Sequence, residues 1–283
     1  NEVKNIQNNV GLTEVNGFNR FEISGPDANG FVERIFCGNI TQKSGRVSLG
    51  YLLNDLGMIK SEATISNIPA SDRGPKRMWY GSAAASEFHD MDWLEQNINT
   101  DEDVEIRSLT NDQTILLIAG PKAREVLSKC SREDWSKEAF PWLSIRECFI
   151  GFSAATVMSV SFSGELAYEV HVPNESLYAA YLTLFKAGEE FGMKLFGSRA
   201  VESMRMEKGF LAWKSDLLTE FDPYETGLER FVNLSKDNFI GKKALQKRIN
   251  NGLNQKLVCL QVACKHAPAY GGASLMEDGK VVG

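Results

Sequence analysis

A strand followed by a Gly-Pro step and an amphipathic helical pattern occurs twice in the sequence, and this unit constrains the fold more than any other feature. The strands are predicted at residues 18–24 and 114–119, and the Gly-Pro steps lie at 25–26 and 120–121. Proline suits the first turn of a helix because no backbone N–H is needed there. The pattern predicts a weak internal repeat of strand-then-helix units.

Other β-rich runs, separated by turn residues, predict a hairpin and a three-stranded meander. The hairpin strands are residues 47–53 and 58–65, and the Asn, Asp and Gly of residues 54–57 suit the tight turn between them. The meander strands are 144–150, 155–162 and 167–172; further strands are predicted at 78–83, 256–263 and 280–282, and further helices at 86–98, 176–191, 199–208 and 242–249.

The length of the chain and one polar stretch predict two units. A chain of 283 residues is longer than one compact core usually supports. Residues 250–255, which follow the last predicted helix, have the composition of a linker. We therefore expect residues 1–255 to form one domain and residues 256–283 to begin a second. We also expect both ends of the chain to be cut short.

Composition and charge argue against several classes of protein. The formal net charge of −6 offers no positive field for phosphate backbones, so nucleic acid is not expected as a partner. The longest uncharged stretch, 148–164, is too short and too polar for a membrane helix. Five scattered cysteines without a Cys-x-x-Cys pair predict no metal site and a reducing compartment, the cytoplasm or, in a eukaryote, the mitochondrial matrix. Nucleotide-binding and serine-hydrolase motifs are also absent from the sequence.

Three local features carry chemistry, and each also has a plain structural interpretation. Glu62 lies in the second hairpin strand, where it could hold a cationic or amine ligand, although most strand glutamates are simply solvated. Glu169, in the third meander strand, can accept two N–H bonds side by side. Arg205 and Glu207 are most simply a structural ion pair, and Trp213 a core or rim residue.

Six short motifs resemble, in order and spacing, those of the glycine-cleavage T-protein (aminomethyltransferase) family. Three further stretches are most similar to the tetrahydrofolate-binding half of dimethylglycine and sarcosine dehydrogenases within that family. Together they span nearly the whole chain. The six motifs are residues 9–12 (NVGL), 23–28 (ISGPDA), 53–57 (LNDLG), 163–170 (SGELAYEV), 205–209 (RMEKG) and 239–245 (FIGKKAL), and the three stretches are 87–94, 210–213 and 278–283.

The resemblance implies an α+β, folate-binding aminomethyltransferase-like fold with a ferredoxin-like part and the beginning of a C-terminal β-barrel. It implies an enzyme that condenses the one-carbon unit of a methylated amine, of the dimethylglycine or sarcosine type, with tetrahydrofolate to give 5,10-methylenetetrahydrofolate. Full-length dehydrogenases of this type carry an N-terminal flavin domain that oxidises the amine. FAD is therefore expected only in an upstream or partner domain.

The resemblance also implies roles for individual residues. Glu62 matches a strand carboxylate, usually Asp, that lies near the reactive folate nitrogens, so it is the expected catalytic residue that orients the amine and stabilises a cation. Glu169 matches the glutamate that binds the pterin ring. The other expected cofactor-binding residues are Tyr51, Phe162, Tyr168, Arg205 and Trp213.

The sequence departs from the family pattern at several positions. Phe162 stands where the family has Tyr, so a stacking face remains without its hydroxyl. Leu49 stands at another family Tyr, and Tyr51, two residues further along the same strand face, is its expected substitute. Val201 replaces an Arg of the aminomethyltransferases, which argues against glycine-cleavage activity proper. For Arg205, within the matching helix motif, a structural role is expected more than ligand contact.

Two other functions share this fold. One is a tetrahydrofolate-dependent demethylase of a sulfonium such as dimethylsulfoniopropionate, which needs no flavin domain, so the upstream sequence would separate it from a dehydrogenase. The other is a non-catalytic folate-binding module of the kind that assists iron–sulfur maturation. Those proteins carry a K-G-C-Y-x-G-Q-E motif, and residues 208–213 here lack its Cys and its Gln-Glu.

Overall fold

A computed structural model describes residues 1–265 and 269–283. Its helices are α1 (Glu2–Asn8), α2 (Ala28–Ile35), α3 (Glu87–Gln96), α4 (Ala123–Cys130), α5 (Leu177–Gly188), α6 (Ser198–Glu207) and α7 (Lys242–Asn251). Its strands are β1 (Gly11–Glu14), β2 (Phe18–Ser24), β3 (Val47–Leu53), β4 (Ile59–Ile68), β5 (Arg77–Ala83), β6 (Glu105–Ser108), β7 (Gln113–Ala119), β8 (Ile145–Ile150), β9 (Ser153–Met158), β10 (Ala167–Pro173), β11 (Lys194–Leu195), β12 (Met276–Glu277) and β13 (Lys280–Val281).

The strands form two large sheets and one short hairpin. The first sheet has the order β3-β4-β5-β2-β6, and the second has the order β11-β1-β7-β10-β9-β8. Their strand pairs are antiparallel, apart from the parallel contact of β1 with β11. Both predicted strand-then-helix units are confirmed, since β2 leads into α2 in the first sheet and β7 leads into α4 near the second.

Each sheet carries helices on its outer face. In the first sheet, Phe31 and Ile35 of α2 pack with Phe21 and Ile65 of the strands. In the second sheet, apolar residues of α4 and α5 pack against the strand residues Ile118, Tyr168 and Val170. The apolar stripe of each helix thus covers one sheet face, as amphipathic spacing predicts.

The inner faces of the two sheets meet along one edge. Val47, Ile68 and Trp79 of the first sheet share a buried cluster with Ile145 and Met158 of the second. Because side chains alternate between the two faces of a strand, the residues between those of the outer cores point into the space between the sheets. That space holds the candidate site.

The predicted hairpin and meander are confirmed, but the strand predicted at 256–263 is wrong. Residues 256–264 are largely exposed, and within residues 1–265 and 269–283 no strand forms a ladder with them. An apolar alternation becomes a strand only when a neighbour supplies backbone partners. Further along the chain, β12 and β13 form a short hairpin, and residues 266–268 of the predicted second unit lie outside the described residues.

Candidate functional site

A cavity of about 770 Å³ lies between the inner faces of the two sheets. Strands β2 to β5 of the first sheet form one wall, and β9 and β10 of the second sheet form another. Further lining comes from residues 142–143, 160–162, 205–213, 226–231 and 257–260. Six of the seven residues expected from the sequence to act at a site line this one cavity: Tyr51, Glu62, Phe162, Glu169, Arg205 and Trp213.

Glu62 and Tyr51 form a hydrogen-bonded pair on the first sheet. They are opposite each other in the β3–β4 ladder, and the Tyr51 hydroxyl donates to Glu62 Oε1 at 2.9 Å. Burial raises the pKa of the Glu62 carboxyl from 4.5 to about 7, and the Tyr51 hydrogen bond opposes this rise. Glu62 is therefore able to gain or lose a proton near neutral pH.

Glu169 faces the cavity from the second sheet. Its neighbour on the same face of β10 is His171, whose Nε2 lies 3.2 Å from Glu169 Oε2. His171 is buried, whereas the Glu169 side chain keeps 20% exposure toward the cavity. Among the described residues, Glu169 Oε1 has no hydrogen-bond partner, so it can accept hydrogen bonds from a ligand.

Aromatic rings and a buried guanidinium complete the predicted set. Phe162 and Trp213 are partly exposed and line the cavity. Arg205 is buried, donates to the Phe210 carbonyl oxygen at 2.9 Å and pairs with Glu202 and Asp216. It thereby fastens the segment after α6 to the helix, which agrees with the structural role expected for its motif.

Tyr168 does not belong with the site, which corrects the sequence-based expectation. Its ring is fully buried on the opposite face of β10, with ring centroids 6.2 Å from Trp135 and 6.0 Å from Phe140. The reason is the two-residue period of a strand: because Glu169 faces the cavity, its neighbour Tyr168 must face the core. Leu49 and Tyr51 follow the same rule, and both line the cavity, as expected.

The sequence reasoning missed several cavity residues, among them Arg20 of β2, Trp79 of β5 and His171 of β10. All three are at most 4% exposed. Among the described residues, Arg20 Nε and Nη1, Trp79 Nε1 and His171 Nδ1 have no hydrogen-bond partner. The alternation in residues 18–24 was a usable signal for Arg20, because it places this residue on the face opposite Phe21.

The protein is an α+β protein with two facing sheets. The cavity between them is lined by aromatic rings and by both acidic and basic side chains, which is typical of a pocket for a small molecule. The GCVT N-terminal domain matches residues 1–236, and the chain belongs to this family. This confirms the resemblance inferred from the motifs.

Similar proteins extend the match over the whole chain. Human mitochondrial dimethylglycine dehydrogenase is 34% identical over 284 residues, which cover 100% of this chain and 32% of that protein. Mouse mitochondrial sarcosine dehydrogenase is 30% identical over 278 residues, which cover 94% of this chain and 30% of that protein. The chain thus spans about a third of the length of these relatives.

The fold also matches a solved structure. The glycine cleavage system aminomethyltransferase T from Bartonella henselae superposes with a TM-score of 0.77 at 20% identity, covering 89% of this chain and 66% of that one. This match confirms the predicted aminomethyltransferase-like fold.

Proposed function

We propose that the cavity binds tetrahydrofolate and that the chain transfers a one-carbon unit from a methylated amine to it. The observation that carries the proposal is the placement of Glu62 and Glu169. These two carboxyl groups stand in the matching family motifs, far apart in the sequence, and they line one cavity from opposite sheets.

The cavity has the size and chemistry that a folate requires. About 770 Å³ lies within the usual range of ligand pockets, roughly 300–1,000 Å³. Phe162 and Trp213 offer faces for a flat ring, and Glu169 offers a free acceptor oxygen. When bound, tetrahydrofolate supplies the nitrogen atoms that accept the one-carbon unit, giving 5,10-methylenetetrahydrofolate.

Glu169 is the proposed ring-binding residue. Its carboxylate accepts ring N–H groups through Oε1 while His171 holds Oε2. Charge-assisted hydrogen bonds of this kind are short and about twice as strong as neutral ones. They fix the orientation of the ring in the cavity.

Glu62 is the proposed catalytic residue. Tyr51 fixes its Oε1, and its pKa of about 7 allows the carboxyl to carry a proton or a charge near neutral pH. In the charged form it attracts a cationic donor, and in either form it can exchange a proton with an amine nitrogen.

The donor and the partners follow from the relatives. Similarity to dimethylglycine and sarcosine dehydrogenases supports a methylated amine as the source of the carbon unit, with a flavin domain, fused or separate, as its oxidant. We further propose that residues 256–283 form a unit separate from 1–255. The mitochondrial relatives support the mitochondrial matrix if the source is a eukaryote.

A fluorescence titration with folinic acid tests the proposal. Trp79 and Trp213 line the cavity, so binding changes their emission. We expect saturable binding by the parent chain and a loss on the order of 2 to 4 kcal/mol in Glu169→Gln. Glu165→Gln is the matched control, because Glu165 lies outside the cavity lining, 3.7 Å from Lys208 Nζ.

Two results would count against the proposal. A folded parent chain that shows no saturable binding contradicts the folate function. Binding that is equally tight in the parent and in Glu169→Gln contradicts the assignment of the ring to Glu169.

A further inference from the structure

Arg20 is buried in the wall of the cavity, and two of the three nitrogens of its guanidinium group have no acceptor among the described residues. Its side chain is held by Nη2, which donates to the carbonyl oxygens of Thr110 at 2.8 Å and Gln113 at 2.7 Å. In the described part of the chain, Nε and Nη1 have no acceptor. The residue is only 3% exposed and lines the cavity.

Arg20 lines the same cavity as Glu169, and the charge of Glu169 acts on its guanidinium group. Gln113, which anchors Arg20, pairs with Pro173 of β10, on the strand that carries Glu169 and His171. Trp79 packs beside this strand, with its ring centroid 5.5 Å from that of His171. Burial lowers the pKa of Arg20, and the nearby charge of Glu169 opposes this change.

A ligand that fits this arrangement carries a hydrogen-bond acceptor next to its hydrogen-bond donors. A buried guanidinium N–H without an acceptor lowers the stability of the folded protein, because the group has lost its hydrogen bonds to water. A ligand oxygen that accepts from this N–H would remove that cost. The charged carboxylate of Glu169 can accept hydrogen bonds but cannot donate them. A ligand that satisfies both residues presents N–H groups to Glu169 and a carbonyl oxygen to Arg20.

We infer that Arg20 donates to the 4-carbonyl oxygen of the pterin ring held by Glu169, and so selects 4-oxo over 4-amino pteridines. The inference rests on the proposed folate function. The 2-amino-4-oxo edge has N–H donors next to a carbonyl, which matches the two residues. A 4-amino group places a donor against the guanidinium N–H groups, and a site built to bind one polar group rejects an analogue that lacks it.

Binding of two ligands that differ at this edge tests the inference. The probes are tetrahydrofolate and its 4-amino analogue tetrahydroaminopterin, titrated anaerobically against the full chain. We expect the parent to prefer the 4-oxo ligand at least tenfold, and Arg20→Met to reduce this preference by at least threefold. The preference that remains comes from the ring N3–H, which only the 4-oxo ligand presents to Glu169. The ratio of the two ligand affinities measures selection between 4-oxo and 4-amino pteridines. A general loss of packing lowers both affinities and leaves their ratio unchanged.

Arg73→Met is the matched control. Its guanidinium also bonds two backbone carbonyls, those of Cys148 at 2.6 Å and Ala155 at 2.9 Å, outside the cavity lining. It should keep the parent ratio. If Arg20→Met is unfolded by circular dichroism, Arg20→Lys replaces it, because an ammonium group held by the two carbonyls lacks the forked donors and should lose the same preference.

The outcomes separate the two claims. If the parent binds tetrahydrofolate but Arg20→Met or Arg20→Lys keeps the parent preference, the inference is wrong and the folate function stands. If the folded parent binds neither ligand, the folate function fails and the inference falls with it.

Discussion

The chemistry of Glu62 depends on the fold. In a solvated strand this carboxyl would be ionised at neutral pH, whereas burial beside Tyr51 raises its pKa to about 7. The same burial that suits Glu62 to its proposed role as a proton carrier also makes its ionisation unfavourable. Activity and stability therefore pull in opposite directions at this position.

We predict that Glu62→Gln stabilises the protein at high pH. Between pH 4.5 and 7 the unfolded chain loses a proton from Glu62 that the folded chain keeps, so the stability of the parent falls as the pH rises through this range. Glutamine does not ionise and still offers an oxygen to Tyr51. Urea unfolding should show the variant more stable by about 3 kcal/mol at pH 8 and nearly equal to the parent near pH 4.5.

The pH dependence is the decisive part of this prediction. A difference between Glu62→Gln and the parent that is the same at both pH values would show that Glu62 ionises normally in the fold. Its proposed role as a proton carrier would then lose its basis.

Tyr168 provides a contrasting prediction, because it lies in the core and not in the cavity. Tyr168→Phe keeps the ring that packs near Trp135 and Phe140. We expect the affinity for folinic acid to stay within twofold of the parent value. If the variant binds folinic acid tenfold more weakly at an unchanged melting temperature, Tyr168 contributes to the binding site after all.

At the scale of elements, the turn between β3 and β4 is locked against α7. Gly57 in this turn has φ +78°, and a Cβ there would lie 2.6 Å from the backbone N of Leu245. Gly241, just before α7, has φ +84° and packs against the Asn54 carbonyl oxygen in the same way. The family motifs 53–57 and 239–245 therefore contact each other in the fold.

We predict that Gly57→Ala destabilises the protein by roughly 2 to 4 kcal/mol, since it combines an unfavourable φ with a clash against backbone atoms. Gly30→Ala is the control, because Gly30 is in α2 with open space around its Cα, and a small gain is expected there. Thermal or urea unfolding measures both variants. Equal stabilities would show that the turn does not contact α7 in solution.

Local pattern predicted most elements, because turn residues and apolar periodicity are local properties. The hairpin around residues 54–57 and the helix after residues 120–121 are examples. The site was harder to predict, because membership of the cavity depends on which strand face meets the other sheet. Glu62 and Glu169 were found through family motifs, whereas Trp79 lies in a strand buried on both faces and carries no local signal.

At the scale of the whole molecule, the site depends on the opposition of two sheets. The first sheet supplies Glu62, the proposed proton carrier, and the second supplies Glu169, the proposed ring-binding residue. The segment 257–260 lines the cavity even though it forms no strand ladder within the described residues. Whether a ligand is held thus depends on contacts between distant parts of the chain.

The length and hydropathy of the helices bear on whether one of them could cross a membrane. None of the helices in residues 1–265 and 269–283 combines the length and the apolar character that crossing a bilayer requires.

In the proposed complex, a folate lies between the sheets with its ring on Glu169. A crystal structure of the chain grown with folinic acid tests this claim most directly. We predict that the pterin ring lies in the cavity, with ring N–H groups within hydrogen-bond distance of Glu169. Ordered folinic acid on another surface, or in the cavity with its ring away from Glu169, would contradict the account.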